Sequence, residues 1–213
     1  KKGKKRLAVA YGQDAHTLYP MFRQQVLPYL QKRQQQALVS RMVKICGYGE
    51  SQVEDMLLDL IDKQTNPTIA TYAKTAQVDL RLTARGEDEK EAEALIAPVL
   101  HEIMKRLGNA VFTTDEYVTL EMAVVELLKK KGLTISTAES CTGGMTAAKL
   151  VNVPGASNVF MEGVVTYSNE AKMRLLGVRQ ETLETFGAVS RETAQEMAEG
   201  GVKMSGSDIC VAI

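Results

Sequence analysis

The sequence predicts a small α+β domain followed by a layered α/β domain, and three observations carry that expectation. Residues 78–83 set Val78, Leu80 and Leu82 against Asp79, Arg81 and Thr83, the alternation of a half-buried strand. Residues 87–107 place Leu95, Ile96, Val99, Leu100, Ile103 and Leu107 at helical spacing. Glu87, Asp88 and Glu89 open that helix and Lys105 and Arg106 close it, as the helix dipole favours. From residue 117 onward, helical and strand patterns alternate. The length, 213 residues with 45% hydrophobic and 24% charged, suits one large domain or two small ones.

Residues 7–11 suit a strand, 12–17 a turn and 21–31 a helix around Pro28. One strand and one helix cannot enclose a core, so residues 1–36 read as a linker or as the remnant of something upstream. The small domain spans 37–110. Residues 37–45 form its first strand. Ser51 and Glu54 have capping-box spacing for a helix to about residue 61, with Val53, Met56, Leu57, Leu60 and Ile61 inward. Asn66-Pro67 breaks the chain, and strands follow at 68–72 and 77–84. With the helix at 87–107, the order is strand, helix, strand, strand, helix. Residues 108–116 read as the junction.

The second domain spans 117–213. A helix at 119–130 turns Leu120, Ala123, Val124, Leu127 and Leu128 inward and stops at Gly132. A strand at 133–138, a helix at 143–150, a turn at 153–155 and a strand at 160–167 follow. Helices at 169–176 and 181–186 precede a third, capped by Ser190 and running to about residue 204. The last strand is 208–213.

Charge and composition exclude several classes. Lys+Arg and Asp+Glu are both 26, so the net charge is zero and a nucleic-acid partner is not expected. The lysine cluster at 1–6 reads as a solvated edge, and no signal-type apolar core follows it. Every apolar run is interrupted before about 18 residues, so no membrane partner is expected. Cys46, Cys141 and Cys210 are odd in number and far apart, which suits a reducing cytoplasm better than a disulfide framework. His16 and His101 are the two histidines, and Glu121, Glu126 and Glu139 have no histidine at ligand spacing, so no metal is expected. The chain has no dinucleotide fingerprint, and no cofactor is expected. Gly47-Tyr48-Gly49 reads as a turn and not as the Gly-x-x-Gly clamp of a KH module.

The candidate chemistry lies between residues 138 and 172. Glu139-Ser140-Cys141-Thr142-Gly143-Gly144 follows an apolar strand and precedes a helix, which sets Ser140 and Cys141 in a tight loop beside unpaired helix N–H groups. Such a loop holds a phosphate, stabilises an oxyanion, or is a plain capping turn. Cys141 is intrinsically the more reactive nucleophile, but the second domain has no histidine to serve as its base. The second stretch is Thr166-Tyr167-Ser168-Asn169-Glu170-Ala171-Lys172. Tyr167 ends a strand, Ser168 or Asn169 caps the next helix, and Lys172 on that helix is placed to activate a hydroxyl or pair with a phosphate. The competing reading has Tyr167 covering the core edge and Lys172 in water.

The strings AESCTGG (138–144), VPGAS (153–157), GVVTYSNEAK (163–172), LLGV (175–178) and GAVS (187–190) together resemble the CinA competence/damage-inducible protein family. GYGES (47–51), NPTIATYAK (66–74) and LRLTARGEDEKEAEALIAP (80–98) resemble the domain that precedes the C-terminal domain in the long form of that family. The resemblance implies a nicotinamide mononucleotide deamidase in residues 117–213, releasing ammonia and nicotinic acid mononucleotide. It implies Ser140 as nucleophile, Lys172 as base and Tyr167 as proton relay or as donor to the leaving nitrogen. Thr142, Gly143, Gly144 and Asn169 are then expected at the substrate phosphate or the oxyanion. The implied partners are a small nucleotide substrate and further copies of the chain, in a homo-oligomer.

The long form begins with a molybdopterin-binding-like domain, of which residues 1–36 would be the tail. Residues 12–22 keep Pro20, Met21 and Phe22 of its closing pattern but lose the proline–glycine and the glutamate, so its pyrophosphatase activity is not assigned here. The family also continues past the last strand with a glycine-rich segment expected to line the pocket, so the domain is expected to be incomplete at Ile213. The alternative function is a non-catalytic nucleotide-binding or interaction module that keeps the pocket without turnover.

Overall fold

Residues 15–31 and 36–213 are described by the structure, a computed structural model, and they belong to two units, Lys1–Glu116 and Tyr117–Ile213. The strand expected at 7–11 lies outside the described residues. Helix α1 (Ala15–Met21), a π-helical stretch (Phe22–Val26) and α2 (Leu27–Gln31) follow one another. The turn expected at 12–17 is therefore helical from Ala15, since nothing between Ala15 and Thr17 breaks a helix that already runs through 21–31.

The rest of the first unit is β1 (Ala37–Ile45), α3 (Glu50–Asp62), β2 (Thr68–Lys74), β3 (Gln77–Gly86), α4 (Glu89–Leu107) and β4 (Val111–Thr113). The sheet order is β2-β3-β1-β4, with every pair antiparallel. Its register sets Val43 opposite Leu80 and Ile69 opposite Leu82. These side chains meet Val53 and Leu57 of α3 and Ile96 and Ile103 of α4 in one core. Asp88 caps α4 by accepting from Glu91 N at 2.8 Å. Val99 and Leu100 pack at the margin of the core, and Ala92 joins its centre.

Three details differ from the sequence reading. The α3 cap is not Ser51 with Glu54: Gln52 Oε1 accepts from Gly49 N at 2.9 Å, and Glu54 accepts from Thr71 Oγ1 at 2.8 Å. Gly49 offers an extended backbone two residues earlier, and the helix starts at Glu50. Asp79, on the polar phase of β3, is buried because Lys74 and the Gln77 amide cover its carboxylate. The stretch expected as a junction supplies β4, an edge strand on β1 too short to show any alternation.

The second unit runs α5 (Leu120–Lys131), β5 (Ile135–Glu139), α6 (Met145–Val151), β6 (Phe160–Val165), α7 (Asn169–Leu176), α8 (Gln180–Phe186), α9 (Arg191–Ser205) and β7 (Ile209–Ala212). Its sheet has the order β6-β5-β7, and both pairs are parallel. All five residues of the central strand β5 are buried. On α5 the inward residues are Val125 and Leu128, whereas Leu127, expected inward, is exposed. Both positions are apolar, so the sequence pattern alone did not fix the rotation of this helix. Thr119 and Ser190 cap α5 and α9.

Helix α9 lies so close to the end of α7 that a Cβ at Gly200 would stand 1.9 Å from the Leu176 carbonyl oxygen. The Gly200→Ala change is expected to destabilise this unit by about 1–3 kcal/mol or more, because backbone must move, and chemical denaturation checks it. Glu196 on α9 accepts from Arg179 N and Nε at 2.9 and 2.8 Å and from Thr182 Oγ1 at 2.7 Å. The Arg179 backbone N–H, then its guanidinium and the Thr182 hydroxyl, outweigh burial and hold the Glu196 carboxyl at about 2. A carboxyl lowered from 4.5 to about 2 stabilises the fold fully above pH 4.5 and loses that contribution as pH falls towards 2. Glu196→Gln should flatten the acid limb of a stability-versus-pH curve in that window.

Candidate active site

The carboxyl end of β5 is tied on both sides. Thr166 N donates to Glu139 O at 2.7 Å, Ser140 N donates to Ile213 O at 2.6 Å, and Ile213 N donates to Ala138 O at 3.1 Å. Ser140 thus sits where the central parallel strand stops, the usual place for a site in such sheets. After β6 the chain turns into α7, whose cap is Ser168, its Oγ accepting from Ala171 N at 3.1 Å. That start sets the fourth residue of α7, Lys172, against the same strand end.

Lys172 is only 1% exposed. Its Nζ lies 3.0 Å from Ser140 Oγ, 2.9 Å from the Thr166 carbonyl oxygen and 3.1 Å from the Tyr167 carbonyl oxygen. As an ammonium it donates to all three. As a neutral amine it keeps two protons on the two carbonyls and turns its lone pair to the Ser140 hydroxyl. Burial pushes the Lys172 ammonium below the ordinary lysine value, and the nearby Cys141 sulfur opposes this in part. A pair that can pass a proton from Ser140 to Lys172 is the result. The reading of Lys172 as a solvated surface lysine is corrected by its burial.

Glu139 is also 1% exposed. Its Oε2 accepts from Gly144 N and Thr146 N, each at 3.0 Å, and its Oε1 accepts from Ala147 N at 2.8 Å. Burial pushes this carboxyl up, but the adjoining Thr142 side chain and the N–H groups of Ala147, Thr146 and Gly144 outweigh it and hold the group below its ordinary value. Gly144 takes φ +95°, the left-handed backbone that lets the loop fold back onto this carboxylate. Gly143 N donates to Ser140 O at 3.1 Å. The N–H groups of Gly143 and Gly144, expected to face phosphate or oxyanion, are therefore engaged within the loop. The N–H groups of Cys141 and Thr142 meet no acceptor among the described residues.

Sequence reasoning thus brought Ser140 and Lys172 together, and the structure does the same. The Tyr167 side chain is 77% exposed, and it is the carbonyl of this residue, not the phenol, that meets Lys172. Tyr167 therefore does not cover the core edge. Asn169 is exposed in the first turn of α7. Cys141 is an exposed free thiol beside the pair. Glu139 was considered in the sequence only as a metal ligand. The signal that could have found its role is a carboxylate six residues before the first residue of a helix whose own cap, Gly144, has no side chain. Among the described residues no cluster of histidine, cysteine and carboxylates suits a metal, and no helix is long and apolar enough to cross a membrane.

A parallel-sheet unit with a serine–lysine pair at its strand ends, preceded in the chain by a small antiparallel α+β unit, defines the class. Two family models match it, the CinA C-terminal domain over residues 118–213 and the damage-inducible protein CinA KH domain over residues 40–113. The chain belongs to the CinA family. The KH match gives the first unit a module name that the sequence reading withheld, although residues 47–50 read Gly-Tyr-Gly-Glu and lack the Gly-x-x-Gly spacing.

A competence-damage inducible protein of Clostridium perfringens is 56% identical over 193 residues, covering 91% of this chain and 46% of that protein. A CinA-like protein of Kosmotoga olearia is 52% identical over 91% of this chain and 47% of its own length. The chain thus spans about half the length of the curated relatives it matches. A crystal structure of competence/damage inducible protein CihA from Agrobacterium tumefaciens is 47% identical, with a TM-score of 0.42 over 43% of this chain and 55% of that one.

The buried position of Lys172 gives a direct expectation. Its side chain, followed by carbon-13 NMR of labelled lysine, should titrate below the ordinary value of 10.5. A midpoint at or above that value would mean that water reaches the group.

Proposed function

We propose that the second unit hydrolyses a carboxamide, with nicotinamide mononucleotide as substrate and nicotinic acid mononucleotide and ammonia as products. The observation that carries this reading is the buried Lys172 Nζ, 3.0 Å from Ser140 Oγ and held by two backbone carbonyls. The substrate identity rests on family membership together with this pair.

Ser140 Oγ attacks the amide carbon while its proton passes to the Lys172 amine. The carbonyl oxygen becomes an oxyanion, and the N–H groups of Cys141 and Thr142 are free to donate to it. The carbon–nitrogen bond then breaks, and the leaving nitrogen takes the proton from Lys172 and departs as ammonia. Water attacks the resulting ester, Lys172 takes the proton of the water, and Ser140 recovers its own as the acid leaves. Tyr167 enters this scheme from the solvent side, where its exposed phenol meets the leaving nitrogen when substrate is bound. The N–H groups at the start of α6 are already taken by the Glu139 carboxylate, so the substrate phosphate, of like charge, is held elsewhere.

The test is ammonia release from nicotinamide mononucleotide by the purified protein. Ser140→Ala is expected to remove nearly all turnover, a loss on the order of a thousandfold or more, and Cys141→Ala to cost much less. Activity should rise with pH as Lys172 loses its proton, with a midpoint below 10.5. Saturable nucleotide binding with no ammonia from the wild type would replace the enzyme by a binding module. Equal rates for wild type and Ser140→Ala would reject the nucleophile.

A further inference from the structure

A carboxylate out of water needs several donors to remain charged, and Glu139 has three from consecutive parts of one backbone segment. Those donors belong to Gly144 and to the first turn of α6, whose N–H groups have no partner inside the helix. The same residue is anchored at its other end, since its carbonyl accepts from Thr166 N in the sheet. Glu139 therefore grips both ends of the turn that holds Ser140, Cys141 and Thr142. Its main chain fixes the near end and its side chain the far end. The left-handed Gly144 closes the turn without offering a side chain of its own.

We propose that Glu139 is a positioning residue for the nucleophile: its carboxylate clamps the 140–144 turn so that Ser140 Oγ faces Lys172 Nζ and the free N–H groups of Cys141 and Thr142 face the reacting carbonyl. The proposal rests on the amide-hydrolysis reading above. It differs from a plain helix cap in what it controls. A cap for α6 alone would change stability and leave the rate per folded molecule untouched. A clamp on the turn changes the reactivity of Ser140 itself, because small displacements of reacting groups cost large factors in rate.

A neutral amide at this position cannot reproduce the grip. Glutamine has one acceptor oxygen, so its NH2 group must face either the Ala147 N–H or the Gly144 and Thr146 pair, donor against donor. Aspartate keeps the charge but is one methylene short of the same donors.

The experiment compares wild type, Glu139→Gln and Glu139→Asp in two assays, with thermal unfolding measured alongside to confirm that each is folded. The first assay follows phosphonylation of Ser140 by a fluorophosphonate, read by intact mass and peptide mapping. The second splits kcat from KM for ammonia release. Glu139→Gln is expected to slow phosphonylation about tenfold or more and to lower kcat in parallel, with KM near that of the wild type, and Glu139→Asp to recover part of both. Wild-type rates per folded molecule in Glu139→Gln would overturn the positioning role while leaving the nucleophile in place. Failure of the wild type to react at Ser140 would instead overturn the nucleophile, and the positioning role with it. Failure of both variants to fold would assign Glu139 to the fold alone and overturn the proposal.

Discussion

A lysine taken out of water must put each of its protons on an acceptor, and among the described residues Lys172 finds three atoms for them. Two are the Thr166 and Tyr167 carbonyls and the third is Ser140 Oγ. The carbonyls are free because the chain leaves β6 there before α7 begins. Each part of the second unit bears on this contact. The parallel sheet sets the ends of β5 and β6 side by side, the Ser168 cap fixes where α7 begins, and α7 packs on α9. The amine at the centre gains a lone pair directed at the serine when it gives up one proton. That direction comes from the two carbonyls and needs no third side chain.

The Glu139 carboxylate is the counterpart on the other side of the serine. Two buried side chains of opposite charge therefore flank Ser140 without being hydrogen-bonded to each other, each held by backbone groups. Main-chain partners cannot rotate away as side chains can, so the arrangement is preorganised before any substrate arrives. It also explains the use of residue types in the loop. Both left-handed positions are glycine, the nucleophile follows directly on a strand, and the two N–H groups left without acceptors among the described residues are those next after it.

Much of this was legible in the sequence because it depends on local pattern. The stripe on α4, the β3 alternation and the Ser190 cap are short-range signals, and the strand-to-helix junctions located both Ser140 and Lys172. What remained hidden was set by contacts that no local hydrophobic pattern announces. The burial of Asp79 depends on Lys74 across the hairpin, and β4 forms only because β1 offers an edge. The rotation of α5 could not be read from a helix apolar at Val124, Val125, Leu127 and Leu128 together. The exposure of Tyr167 and the burial of Lys172 are not decided by the string, which leaves both placements open; the Ser168 cap fixes where α7 begins, and Lys172 on that helix turns inward. The role of Glu139 escapes a search of the N-cap position alone, because its carboxylate reaches the start of α6 from the preceding strand while the cap residue itself is glycine.

The central claim is that Ser140 forms a covalent bond with the substrate carbonyl and that Lys172 carries the proton. Rapid quenching of the protein with nicotinamide mononucleotide, followed by mass spectrometry of the digested chain, tests it most directly. The account predicts a transient acyl adduct on the peptide containing Ser140, formed as the first ammonia appears and lost as acid is released. An adduct on Cys141, or steady ammonia release with no adduct on the chain at any time, would contradict it.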